Sequence, residues 1–238
     1  MTSRVIVVER DVQYQPQQAA EEVRRRWASE GTLVVNLLSS PGAGKTALLE
    51  ATARRLKGEA TLAVLTGDPA TDRDARRLAP LVPVVQLCTT GACHLDLAMV
   101  ERGSTALGLQ PDYLFIENVG NLVCPASFDL GEHLRVLLLS TTEGDDKPAK
   151  YAKAFRTSHA LVVSKLDLLP YVPFSIEAAV ADARNIQPEL DVLLLSARSG
   201  QGMDAWCHYL QRKRQALLPH MAAAPLAWPM EAGENAAS

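Results

Sequence analysis

A loop able to cradle phosphates stands between an apolar run and a helical one: Ser39-Ser-Pro-Gly-Ala-Gly-Lys-Thr46. Small residues at Pro41, Gly42, Ala43 and Gly44 let the backbone curl so that successive N–H groups face one anion. The helix opening at Thr46 and Ala47 adds its positive end. Lys45 is long enough to reach the β- and γ-phosphates, and Thr46 supplies a hydroxyl for Mg²⁺. Ser39 occupies the place of the usual first glycine, so only the Gly42, Gly44, Lys45, Thr46 half of the pattern is met.

Phosphate chemistry also needs carboxylates near the metal. Asp68 follows the next strand-like run and is assigned to the Mg²⁺ shell. Asp72 and Asp74 then belong to a loop that senses the γ-phosphate, although Asp74 alone reads as a solvated helix residue. In Glu117-Asn-Val-Gly120, the Gly120 N–H can meet the γ-phosphate while Glu117 orients water or Mg²⁺. The candidate catalytic set is therefore Lys45, Asp68, Asp72, Glu117 and Gly120. Base choice falls to Ser164-Lys-Leu-Asp167, where an aspartate after a buried strand can accept from both N1–H and the 2-amino group of guanine. Lys165 can lay its aliphatic stem over the base, and the backbone of Ser196, Ala197 and Arg198 can approach the guanine oxygen. Adenine offers no such pair of donors, so the set favours GTP and GDP over adenine nucleotides.

A second chemistry is suggested by Cys93, His94 and Cys124, which fall in loops past strand ends. Two thiolates and an imidazole suit Zn²⁺, or Ni²⁺ where the geometry can flatten. Three ligands leave a position open, which is useful in a site that must release its ion. The plainer alternative is a helix start carrying a low-pKa thiol. Cys88 and Cys207 read as small buried hydrophobes and His208 as surface.

The elements that must position these groups alternate. Strands are expected at Thr32–Leu38, Thr61–Thr66, Val82–Leu87, Tyr113–Ile116, Leu134–Ser140, Leu161–Ser164 and Val192–Ser196. Helices are expected at Thr46–Lys57, Asp72–Leu78, Leu95–Leu107, Lys147–Arg156, Ile176–Asn185 and Gly202–Leu218. Short apolar runs separated by helices need crossover connections. The expected fold is therefore α/β, a P-loop NTPase with a mainly parallel sheet covered by helices on both faces. Residues 1–30 form an N-terminal extension with a short edge strand at Val5–Val8 and a helix after Pro16, striped by Ala20, Val23 and Trp27. Residues 31–218 form the P-loop domain, and 219–238 a disordered tail.

Of the 238 residues, 47% are apolar and 21% charged, which supplies a core and excludes a disordered or fibrous chain. A net charge of -3 and a pI near 6.0 exert no pull toward nucleic acid or an anionic membrane. Four scattered cysteines fit reduced thiols of a cytoplasmic protein rather than a disulfide scaffold. No apolar run reaches the length of a signal peptide or a membrane span.

The runs Leu37–Thr46, Thr66–Asp72, Thr90–Asp96, Glu117–Ala126 and Glu143-Gly-Asp-Asp-Lys-Pro148 together resemble the hydrogenase nickel-incorporation GTPases, the HypB family, over about residues 1 to 215. The related urease accessory GTPases carry a Cys-Pro-His metal motif that is absent here. The resemblance implies slow GTP hydrolysis with Mg²⁺, and Ni²⁺ or Zn²⁺ held by Cys93, His94 and Cys124. It also implies a homodimer in the GTP state, a zinc-containing HypA-type partner, and delivery of nickel to the large-subunit precursor of NiFe hydrogenase. It places Asp68 and Asp72 in a nucleotide-responsive loop and gives guanine reading to Lys165 and Asp167. Where the family usually has Asn tying the guanine loop to the phosphate loop, this chain has the shorter Ser164, and weaker base affinity or selectivity is expected. Residues 1–30 contain no cysteine motif and no histidine-rich stretch, so metal storage is not expected.

Two other readings use the same residues. A small-molecule kinase would recruit Arg73, Arg76 and Arg77 to an acceptor. A structural zinc protein would use the Cys/His trio as a staple indifferent to nucleotide.

Overall fold

The computed structural model describes residues 4–7, 16–68, 72–89 and 91–221. The chain runs β1 (Arg4–Val7), α1 (Pro16–Ser29), β2 (Leu33–Ser39), α2 (Lys45–Arg55), β3 (Leu62–Asp68), α3 (Arg73–Leu78), β4 (Val84–Cys88) and α4 (Leu97–Leu107). It continues through β5 (Tyr113–Glu117), β6 (Leu134–Ser140), α5 (Lys147–Lys150), α6 (Ala152–Arg156), β7 (Ala160–Ser164), α7 (Ile176–Ile186), β8 (Asp191–Leu194) and α8 (Met203–Met221). The eight strands form one sheet in the order β1-β4-β3-β5-β2-β6-β7-β8, and every pairing is parallel. All strands therefore end at the same edge, where open α/β sheets keep their ligands.

The period of two along each strand divides the core. Leu33, Val35 and Leu37 of β2, with Tyr113 and Phe115 of β5, face a cluster built with Leu48 and Leu49 of α2, Ala75 and Leu78 of α3, and Trp206 and Leu210 of α8. Val34, Leu114 and Ile116 face the other way, toward Val23 and Trp27 of α1 and Met99 and Val100 of α4. Leu137, Leu139, Leu161 and Val163 meet Phe155 of α6 and Ala179 and Ala183 of α7. Both faces are thus covered, and each large side chain so buried contributes about 1.5–3 kcal/mol.

Two helix limits differ from the sequence expectation, and the extension packs on the domain. The helix expected over Lys147–Arg156 is two short helices, broken at Tyr151 (φ -122°, ψ 40°), whose ring centroid lies 5.0 Å from the Lys147 ammonium. The extension is stitched to the domain: β1 pairs with β4, and α1 buries Trp27 to 2% exposure in the core. The last helix continues past Leu218 to Met221, and the tail expected beyond it, from residue 222, lies outside the described residues. Among the described residues no helix is long and apolar enough to cross a membrane.

Candidate functional site

The loop after β2 enters α2 through Gly44 in the left-handed region (φ 103°), a conformation that a side chain there would strain. Lys45 is buried, and its ammonium donates to Ser39 Oγ at 2.9 Å, so the serine that replaces the usual glycine holds the lysine. Burial pushes the Lys45 pKa down, while the carboxylates of Glu117, Asp74, Glu143 and Asp68, in that order, pull it up. Beside it, Thr46 Oγ1 lies 2.7 Å from Glu117 Oε1 and 2.9 Å from Asp74 Oδ1. One hydroxyl proton can serve only one of them.

Glu117 ends β5 and is 4% exposed. Burial pushes its carboxyl up to about 7, against the opposing pull of Lys45 and the Thr46 bond. Its Oε2 is buried and has no hydrogen-bond partner. An orphaned carboxylate oxygen among a hydroxyl and a second carboxylate is a set of hard donors deficient in positive charge. That set fits Mg²⁺, with Thr46, Glu117 and Asp74 as the residues around it. Asp68, the sequence choice for the shell, ends β3 and acts on Lys45 more weakly than Glu117 or Asp74. Asp74 has no signature of this role in the sequence; the packing of α3 against α2 delivers it. Asp72 precedes α3 and pairs with Arg76 (2.8 Å), while Arg77 pairs with Glu50 (3.1 Å). Two of the three arginines offered for a kinase acceptor are thus engaged on their own surface.

Further residues gather beyond β6 and β7. Lys147 Nζ donates to Ser40 Oγ at 3.2 Å and lies 3.4 Å from the Glu143 carboxylate, so the Glu143–Pro148 run abuts the phosphate loop. Ser164 Oγ donates to the Ala43 carbonyl at 2.7 Å. The backbones approach closely enough here for a hydroxyl to join the loop after β7 to the phosphate loop. Lys165 follows in the left-handed region (φ 59°), the one non-glycine residue so placed among those described, and its carbonyl accepts from Thr141 Oγ1 at 2.8 Å. Asp167 Oδ1 accepts from Ser196 Oγ at 2.5 Å, and Ser196 Oγ in turn accepts from Ser199 N at 3.1 Å. The Asp167 carboxylate and the Ser196–Arg198 turn thus meet at one end of the sheet, with Ala197 half-buried and Arg198 exposed.

The thiols lie in the loops after β4 and β5. Cys93 is exposed and Cys124 half-buried, and a thiol–thiol hydrogen bond to Cys124 raises the Cys93 pKa. His94 Nδ1 is 3.9 Å from Cys93 Sγ, and its ring stacks on Phe128 with centroids 3.9 Å apart and planes 7° apart. Among the described residues, no three Cys, His, Asp or Glu side chains are gathered tightly enough to hold an ion. Two soft donors meet, and the imidazole Nδ1 stands 3.9 Å from one of them. The donor types suit nickel or zinc, but closure of the set requires movement.

Two contacts join this region to the nucleotide loops. A Cβ added at Gly120 would stand 3.1 Å from Pro41 Cα, so the loop that leads to Cys124 is pressed on the phosphate loop. A Cβ added at Gly67, beside Asp68, would stand 2.8 Å from Leu95 Cδ1, one residue after His94.

The nucleotide-binding domain profile described as CobW/HypB/UreG matches residues 33–194. The hydrogenase maturation factor HypB of Escherichia coli (strain K12) is 47% identical over 215 residues, covering 90% of this chain and 74% of that one. This chain belongs to the HypB family. HypB of Helicobacter pylori, crystallised in complex with nickel, superposes with a TM-score of 0.81 at 36% identity, covering 85% of this chain and 96% of that one. HypB of Archaeoglobus fulgidus superposes with a TM-score of 0.77 at 34% identity, covering 84% and 98%. The family places a P-loop nucleotide-binding fold around the site just described.

Proposed function

We propose that this HypB-family chain is a GTP-hydrolysing metallochaperone that binds nickel and delivers it during NiFe hydrogenase maturation, with metal handling coupled to nucleotide state and dimerisation. The observation that carries the reading is one short segment. Gly120 packs against Pro41 of the phosphate loop, and Cys124, four residues on, has its thiol against Cys93.

Phosphate oxygens meet the N–H groups from Gly42 to Ala47, and Lys45 neutralises charge on the β- and γ-phosphates. Mg²⁺, when bound, supplies the Lewis acidity that offsets charge developing on the phosphates. Thr46, Glu117 and Asp74 hold their oxygens toward that ion, and Asp68 and Asp72 stand in the flanking loop. Water attacks the γ-phosphorus, the bond to the bridging oxygen breaks, and GDP and phosphate leave. Asp167 accepts from N1–H and the 2-amino group of guanine, with Ser196 fixing the carboxylate and Lys165 covering the base.

In this reading the Gly120 N–H answers the γ-phosphate. Any displacement of that loop moves Cys124 relative to Cys93 and His94, which changes the grip on nickel. Linkage requires that nickel alter nucleotide affinity or dimerisation by the same factor. A second copy of this chain, a HypA-type donor and the hydrogenase large-subunit precursor are the partners of this cycle. Slow phosphate release from GTP with no acceptor present, and hydrogenase activity restored to a cell lacking its own maturation GTPase, test the reading. Phosphate transfer to an added acceptor without hydrolysis would replace it with a kinase.

A further inference from the structure

Phe128 lies outside the sequence motifs, yet its ring is the surface against which His94 rests. We infer that Phe128 is the positioning residue of the nickel site: its ring holds the His94 imidazole beside Cys93. This rests on the metal-handling reading above. A parallel stack engages the faces of the imidazole and leaves its edge, which carries the two nitrogen donors, turned away from the aromatic ring. Nδ1 accordingly stands 3.9 Å from Cys93 Sγ.

The support behind the ring is fixed. The Phe128 carbonyl accepts from Arg135 Nη2 at 2.7 Å, and its N–H donates to the Pro125 carbonyl at 3.3 Å. Arg135 is 7% exposed, and its Nε donates to Glu132 Oε1 at 2.7 Å. Glu132 also accepts from Asn36 Nδ2 at 3.2 Å and from Leu130 N at 2.7 Å. Asn36 in turn accepts from Asn118 Nδ2 at 3.2 Å, next to Glu117. A chain of buried polar contacts thus fastens Phe128 to the central strand and to the residue beside the phosphate site. His94 sits on the loop that carries the exposed Cys93. The ring is thus a flat wall, anchored to the sheet, against which the imidazole rests.

Phe128 also packs at the edge of the apolar cluster under α4, so the test must separate ring stacking from volume. The full chain, freed of metal, is titrated with Ni²⁺ and with Co²⁺ as wild type, Phe128→Leu, Phe128→Tyr and Cys124→Ala. Loss of the ring in Phe128→Leu is expected to weaken binding roughly three- to tenfold, the range that an aromatic pair supports. The Co²⁺ ligand-field bands should shift as nitrogen leaves the set while thiolate charge transfer stays, and Phe128→Tyr should restore both. Wild-type affinity and bands in Phe128→Leu, or equal losses in the Leu and Tyr variants, would overturn the inference. Should Phe128→Leu fail to fold, the unsubstituted protein decides. Its His94 ring protons must show an upfield ring-current shift that persists when Zn²⁺ is bound, and its absence overturns the inference. If Cys124→Ala binds nickel as the wild type does, the metal-site reading itself fails, and the Phe128 inference falls with it.

Discussion

The phosphate loop and the thiol cluster share one edge of one sheet, and they are built in opposite ways. Around the phosphate loop, Lys45, Thr46, Ser39 and Glu117 are buried and bonded in two pairs, Lys45 with Ser39 and Thr46 with Glu117. This costs a carboxyl held at about 7 and an oxygen with no partner. Around the thiols, Cys93 is exposed, Val123 beside Cys124 is 61% exposed, and the three donors do not close. Preorganisation suits a reaction in which charge must be met without delay. An unfinished ligand set suits a cargo that must be taken up and let go. On the proposed reading, the nucleotide half is preformed and the thiol half is left open to adjustment.

Lys45→Ala should break the rigid half outright. Hydrolysis of GTP should fall at least about a hundredfold, as when one preorganised donor to developing charge is lost. Nickel bound in the absence of nucleotide should be held as before. Steady-state phosphate release and equilibrium dialysis check the two halves separately.

Glu117→Gln tests whether the buried acid marks a cation site. Hydrolysis should again fall by about a hundredfold, and the dependence on Mg²⁺ should flatten. The same variant should change stability against pH. Glu117 has a folded pKa of about 7 and an unfolded value of 4.5. Between these the folded state holds the extra proton, so this group makes the ligand-free protein less stable as pH rises from 4.5 to 7, by a few kcal/mol as an order of magnitude. His133 works the other way. Burial lowers its pKa to about 4 from 6.5, so its contribution is present above 6.5 and is lost as pH falls toward 4. Denaturant midpoints across this range should differ between wild type and Glu117→Gln by the first component alone.

Cys124→Ala addresses the adjustable half. Nickel affinity should drop by at least about tenfold, because even outer-shell partners of metal ligands are worth 10–100-fold. GDP affinity without metal should stay within twofold by calorimetry, roughly 0.4 kcal/mol. The smallest effect is expected of Ser164→Ala, which removes the bond to the Ala43 carbonyl. One such bond is worth about 1 kcal/mol, so GDP should bind roughly fivefold more weakly in a fluorescent-nucleotide titration.

Much of this architecture can be read from the chain before it folds. Alternating apolar runs such as Leu33–Ser39 and Leu134–Ser140 are buried on both faces and leave no competing period, so their limits hold to within a residue or two. The parallel crossover arrangement follows from the helices between them. What stays hidden is set by tertiary approach. No glycine or internal proline stands at Tyr151 to announce that the helix breaks there. Asp74 looks like one more acid on a basic, solvated helix until α3 turns it toward Thr46. Phe128 is an ordinary aromatic until His94 lies upon it. Ser164 has a short side chain, and only the folded backbone brings the Ala43 carbonyl to 2.7 Å from its hydroxyl. Residue types announce chemistry; only the fold decides which of them touch.

The coupling of the two halves through Gly120 and Cys124 is tested most directly by nickel affinity measured on one preparation with GDP and then with a nonhydrolysable GTP analogue. A difference of fivefold or more is expected, the lower end of ordinary coupling between two sites, about 1 kcal/mol. Identical affinities in the two nucleotide states would contradict it.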